Sequence, residues 1–194
     1  MESTPLYTLS ALQTERLSLR AFMNDDAAKI HPLANDREVA QNLASLPHPY
    51  LPEMALEWLE KLPALHEAGT HRVWAITLNA VTLNAVTLHP TTLIGAIGLH
   101  DISMEHSNAE LGYWIGREFW GRGYATEAAR AAVQYALEEM TLERVYAKHF
   151  ARNPQSGRVL EKIGMQHEGV LRRHFCKWGE FQDCVLYGIV RNAA

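Results

Sequence analysis

A chain of 194 residues, 47% hydrophobic and 21% charged, has the apolar content to bury a core and lies outside the disordered, fibrous and collagen-like classes. Its formal net charge of -4 supplies no general basic field, which argues against broad attraction to nucleic acid or to an anionic membrane. No basic segment leads into an apolar stretch at the start, and nowhere do eighteen apolar residues run together, so a cytoplasmic, non-membrane chain forming one domain over residues 1–194 is expected.

In chain order, residues 15–22 alternate Leu17, Leu19 and Ala21 against Arg16, Ser18 and Arg20, the period of a half-buried strand. Asn24, Asp25 and Asp26 then offer a cap and an acidic first turn to a short helix that Pro32 should limit. Residues 46–50 read as a loop. Ala55, Leu56, Leu59 and Leu62 recur at helical spacing from Pro52 onward, and Pro63 should end or kink that helix. Residues 72–78 and 92–102 read as two strands of a hairpin, and LNAVT, repeated at 78–82 and 83–87, as a tandem duplication that lengthens it.

From residue 108 the pattern becomes strand (109–115), glycine turn, helix (124–139), strand (143–150), short helix (154–163) capped by Asn153, and a closing antiparallel pair (166–175 and 182–190). On the long helix Ala125, Ala128, Ala132, Val133 and Ala136 form the packing side, with Glu127, Arg130, Gln134 and Glu138 opposite. Cys176 and Cys184 flank a hairpin tip and read as reduced thiols, with a disulfide left open. The ten His residues are scattered, none at metal-ligand spacing, so no metal is expected.

The chemistry concentrates at Trp120-Gly121-Arg122-Gly123-Tyr124-Ala125-Thr126, where a strand gives way to a helix. Gly121 and Gly123 permit backbone conformations barred to larger residues, and the first amides of the helix are free to bind an anion. The helix dipole favours a phosphate there by about 0.3–1 kcal/mol, and Arg122 could add an ionic contact. A tight connection with glycines for steric reasons alone is the alternative. Neither a dinucleotide GxGxxG pattern nor a nucleoside-triphosphate loop fits.

The blocks ELGYWIGREFWGRGYATEAARAAVQYAL and NPQSGRVLEKIGMQHEGVLR, in that order, resemble the GNAT superfamily, in particular its RimJ/RimL-like branch. The family's pyrophosphate motif falls on Trp120, Gly123 and Ala125. Trp120 stands where the motif has Arg or Gln, but aromatics are usual there in this branch, where backbone amides hold the phosphates. The resemblance implies an α/β (α+β) fold: a mixed, mostly antiparallel sheet splayed between its fourth and fifth strands, with helices on both faces. It also implies acetyl-CoA as co-substrate, its pantetheine arm paired with the backbone of Tyr113, Trp114 and Ile115. Gly121, Arg122, Gly123, Tyr124, Ala125 and Thr126 would hold the diphosphate, and Asn153 would bond near the arm.

Acetyl transfer to an amine needs a neutral nitrogen, a donor at the thioester carbonyl and a proton for the departing thiolate. By the resemblance, Ser156 is the proton donor and Glu110 the general base; His149, whose residue type has an ordinary pKa of about 6.5 suited to base chemistry, is the second choice. Ordinary readings stay open for each: a helix-terminus hydroxyl, an ion-paired carboxylate and a packed imidazole. The expected activity is N-acetylation of a primary amine by direct attack in a ternary complex, the acceptor being a protein α-amino group or a small amine such as a polyamine, amino acid or antibiotic. A non-catalytic acyl-CoA-binding module is the competing class. No direct nucleic-acid contact is expected, and a homodimer, with Trp178 at a contact or on the acceptor side, is left open.

Overall fold

The computed structural model describes residues 4–79 and 92–191. Among these residues eight strands form one sheet: β1 (Leu12–Gln13), β2 (Leu17–Arg20), β3 (Arg72–Leu78), β4 (Thr92–Ser103), β5 (Asn108–Ile115), β6 (Arg144–Phe150), β7 (Gln166–Lys177) and β8 (Glu180–Val190). Their order is β1-β2-β3-β4-β5-β6-β8-β7, and among the described residues only the β5–β6 pair is parallel. The helices are α1 (Ala27–Ala34), α2 (Arg37–Ala40), α3 (Pro52–Glu67), α4 (Tyr124–Gln134) and α5 (Pro154–Lys162). The repeat at 78–87 lies, from residue 80 on, outside the described residues.

Alternation along the strands sorts the core into two layers, as a sheet with side chains on opposite faces requires. Trp74, Ile76, Ile97, Leu99, Ala109, Leu111 and Val145 pack with Ala128, Ala132 and Val133 of α4 and Leu160 of α5. Val73, Ala75 and Ala96 instead pack with Ile30 of α1 and Leu59 and Leu62 of α3. Helices therefore cover both faces.

The sheet parts where the resemblance implied. Strands β5 and β6 are the fourth and fifth read from the sequence, shifted by the short β1. They pair only at Asn108↔Arg144, Ala109↔Val145 and Glu110↔Tyr146. From Leu111 to Ile115 the β6 side of β5 is open. The Gly116 amide donates to the Ile94 carbonyl of β4 at 2.8 Å, whereas the Ile115 carbonyl is turned away and accepts from Trp120 Nε1 at 2.6 Å. Main-chain groups alternate sides along an antiparallel strand, so Leu111, Tyr113 and Ile115 present theirs to the opening and Trp114 presents its own to β4.

Two proline stops need correction: Pro32 does not limit α1, and Pro63 does not end α3. Pro32 sits inside α1 and Pro63 inside α3. Each removes one intrahelical hydrogen bond, but the helices are anchored in the second layer, α1 by Ile30 and Ala34 on either side of Pro32 and α3 by Leu59 and Leu62 just before Pro63. Asp26 does not cap in solvent. It is fully buried, paired with Arg20 at 2.7 and 2.9 Å and accepting from the Met23 amide at 3.0 Å. The two cysteines are free and not opposite one another: Cys176 faces Phe181 and Cys184 faces Leu171. The long helix runs as expected, but its last turn, Tyr135–Glu139, is a π turn. No helix among the described residues is long and apolar enough to cross a membrane.

Candidate active site

The glycine turn sits at the mouth of the opening. Gly121 and Gly123 have φ of 74° and 82°, in the left-handed region that favours glycine, and Gly123 caps α4 without a side chain. The turn is fixed from behind by residues the sequence reading left out. Glu127, expected on the outer side of the helix, is instead half-buried in a clamp. Thr14 Oγ1 donates to its Oε1 at 2.6 Å, the Arg16 amide donates to the same oxygen at 2.8 Å, and Arg16 Nε donates to Oε2 at 2.7 Å. Arg16 Nη1 also donates to the Arg122 carbonyl at 2.9 Å, and its guanidinium lies 4.8 Å from the centre of the Tyr124 ring. With the Arg122 carbonyl drawn toward Arg16, the peptide of Arg122 and Gly123 is held in one orientation.

Burial would raise the Glu127 pKa, but the bonds from Thr14 and Arg16 outweigh it and hold the carboxyl below its ordinary range. A depressed carboxyl stabilises the fold above its unfolded pKa and loses that contribution as pH falls through the folded value. Glu127→Gln should therefore lower stability near neutrality by about 2 kcal/mol, roughly 4–8 °C in thermal midpoint. The gap from wild type should narrow as pH falls below the ordinary carboxylate range, through the depressed folded pKa of Glu127. Thermal melts of both proteins from neutral to acid pH check this.

Glu110 lies on the α1–α3 face with Gly112 and Trp114, opposite His100, Gly98 and Ala96 of β4. Its Oε2 is 3.0 Å from Lys148 Nζ, across the start of the parting. The neighbouring His100 ring packs over a glycine pair. A Cβ on Gly98 would come within 2.9 Å of Nε2, and one on Gly112 within 3.1 Å. Burial, together with the His71 ring whose centre is 5.1 Å away, pushes His100 down to about 4, so it is a neutral imidazole beside the carboxylate.

On the opposite face Tyr113 reaches across to α5. Its hydroxyl is 2.8 Å from Ser156 Oγ, and burial pushes the phenol up to about 12. Asn153 caps α5 by accepting from the Ser156 amide at 3.4 Å. His149, the second choice of base, is on this side rather than with Glu110. Its Nδ1 is 2.9 Å from the Phe150 carbonyl, its buried Nε2 has no partner among the described residues, and a Cβ on Gly157 would sit 2.9 Å from that nitrogen. Burial lowers its pKa. Packed under α5, it does not share a face with Glu110. Arg122 is exposed at the turn.

The structure thus gathers two groups: Gly121 to Thr126 with the open edge at Tyr113 and Ile115, and Glu110 with His100 and Lys148. Tyr113–Ser156 lies between β5 and α5. The clamp was hidden because Arg16 and Glu127 are 111 positions apart, and the Lys148 pairing because it depends on a parallel register. The alternating Gly98-x-His100 and Glu110-x-Gly112 was the one local signal for His100.

Residues 16–166 match the family model described as the acetyltransferase (GNAT) domain. The chain is 32% identical to the uncharacterized N-acetyltransferase YoaA of Bacillus subtilis, over 93% of this chain and 96% of that protein. It is 28% identical to the spermidine N(1)-acetyltransferase of Vibrio cholerae, over 87% of this chain and 89% of that one. A crystal structure of a GNAT-family acetyltransferase from Bacillus anthracis superposes with a TM-score of 0.77 at 26% identity, covering 93% of this chain and 98% of that one. The chain belongs to the GNAT acetyltransferase family, and it is an N-acetyltransferase with acetyl-CoA as donor.

Proposed function

We propose that this chain moves the acetyl group of acetyl-CoA directly to a primary amine held at Glu110, within a ternary complex. The observation that carries the reading is the open edge of β5, which starts beside Glu110 and leads to the clamped glycine turn. One acyl-pantetheine chain can then span both groups of residues. The diphosphate takes the main-chain amides from Gly121 to Thr126 with Arg122 alongside, where no side chain intrudes and the dipole of α4 favours an anion. The pantetheine amides add to the edge as an extra strand at Tyr113 and Ile115. The Ile115 carbonyl already serves Trp120, so Tyr113 supplies the freer pair of main-chain groups. Asn153 keeps its side-chain N–H groups for the arm.

Glu110 receives the ammonium and takes its proton directly or through water. Lys148 fixes one carboxylate oxygen and leaves Oε1 to the acceptor. At pH 7 a model α-amino group costs about 1.4 kcal/mol to deprotonate and a lysine amine about 4.6, which favours an α-amino acceptor, including a protein N-terminus. As the C–N bond forms and the C–S bond breaks, Ser156 or Tyr113 returns a proton to the thiolate. The two hydroxyls share one hydrogen bond, so each can partly replace the other. Ser156→Ala and Tyr113→Phe should each reduce kcat only about fivefold and the double variant by more than the product of the two, about a hundredfold, measured as thiol release under saturating acetyl-CoA.

The transferase reading itself is tested by releasing CoA thiol from acetyl-CoA in the presence of pooled primary amines and peptides. Acceptor-dependent release supports it. Saturable acetyl-CoA binding with no release across the panel would favour a non-catalytic binding module.

A further inference from the structure

The face that carries Glu110 continues outward as a row of cations set among aromatic rings. Lys148 and Phe150 follow on β6, and the registers Phe150↔Cys184, Phe175↔Gln182 and Lys177↔Glu180 put Phe175 and Lys177 on the same face of β7. Ring contacts tie the row together. Lys148 Nζ is 5.6 Å from the centre of the Phe175 ring, and the Arg152 guanidinium is 5.0 Å from that of Phe150. Beyond them the Trp178 ring has Lys177 Nζ at 4.9 Å and the Arg37 guanidinium at 5.5 Å.

Only Lys148 is matched by a carboxylate, that of Glu110. Arg152 and Lys177 bond to the main-chain carbonyls of Gln41 and Leu46, and among the described residues no acidic side chain pairs with Arg37, Arg152 or Lys177. Lys177 is 5% exposed, and burial, with the Arg152 charge beside it, lowers its pKa. Three cations thus gather without counter-charge in a chain whose formal net charge is -4. Pinning the 41–46 loop explains one N–H of Arg152 and one of Lys177. Among the described residues it leaves four of the five guanidinium donors of Arg152, and those of Arg37, whose guanidinium lies against Trp178, without an acceptor.

We infer that the acceptor carries an anionic group, carboxylate or phosphate, besides its amine: the amine meets Glu110 and the anion lies against Arg152 and Arg37, with Lys177 behind them. This rests on the reading of Glu110 as the place where the amine arrives. Arg presents paired donors that suit carboxylate and phosphate oxygens, and the Trp178 and Phe150 rings lie against the two guanidinium groups. A polyamine would meet like charge over the same stretch.

The test is a panel of acceptors matched in their α-amine: a peptide with acidic residues after the first, its amide counterpart, and its lysine counterpart. Spermidine, aspartate and phosphoethanolamine complete the panel, the last two separating small anionic amines from peptides. The anionic acceptors of one arm should exceed the amide peptide in kcat/KM by about tenfold, and the excess should disappear between about 0.05 and about 0.5 M salt as the charges are screened. In the doubly substituted R37Q/R152Q protein the acidic-to-amide ratio should fall about tenfold. Equal rates for acidic and amide acceptors, or a preference for spermidine or the lysine peptide, would overturn the inference and leave the transferase reading standing. If that variant fails to fold, the wild-type panel alone decides. Absence of release with every acceptor would overturn the transferase reading and this inference with it.

Discussion

Gly123→Val should abolish acetyl-CoA binding, raising the dissociation constant at least a hundredfold by calorimetry. The residue has φ of 82°, and a Cβ there would stand 3.3 Å from Arg16 Nη2. An L side chain in the left-handed region costs about 1–2 kcal/mol, and a β-branched one more. The simplest relief is rotation of the peptide before α4, which removes the Arg122 carbonyl from Arg16 and turns the phosphate-binding amides aside. Gly121 provides the control. Its φ of 74° is equally left-handed, but a Cβ there would meet nothing within 4 Å. Gly121→Asn, which tolerates that conformation, should therefore weaken binding by no more than about fivefold. Equal losses at both positions would mean that any side chain in the turn obstructs the diphosphate and that the Arg16 contact does not govern binding.

The second large effect is expected at Glu110. Glu110→Gln keeps the shape of the side chain and removes its charge, so kcat should fall by about a hundred- to a thousandfold, the range for loss of a general base. The KM for acetyl-CoA should stay within about twofold, because Glu110 lies at the paired start of the opening and the diphosphate turn at its far end. Activity retained in this variant would move the proton-accepting role to water or to His100. A parallel rise in the KM for acetyl-CoA would mean that Glu110 acts by holding the strands at their junction.

Local periodicity explains what was readable in advance. Leu17 and Leu19 alternate with polar neighbours, and β5 places Glu110, Gly112 and Trp114 on one face, so strand identity and the face of Glu110 both follow from a period of two. The glycine turn was readable for the same reason, since its residues are contiguous. The two-residue β1 and four-residue α2 are too short to carry a period. Pro32 and Pro63 misled because tertiary packing overrode local propensity. Glu127 misled because a carboxylate on a helix face looks solvated until Thr14 and Arg16 are brought to it by the β1–β2 connection. The unmatched cations at Arg37, Arg152 and Lys177 come from three separate segments, and only folding shows that they share one side of the sheet.

A crystal structure with acetyl-CoA bound tests the central claim most directly. Main-chain amides from Gly121 to Thr126 should lie about 3 Å from diphosphate oxygens, with the pantetheine amides bonded to Tyr113 between β5 and β6 and the acetyl group at the Glu110 end. Density for the cofactor anywhere else, or β5 and β6 zipped together beyond Glu110 with the cofactor bound, would contradict it.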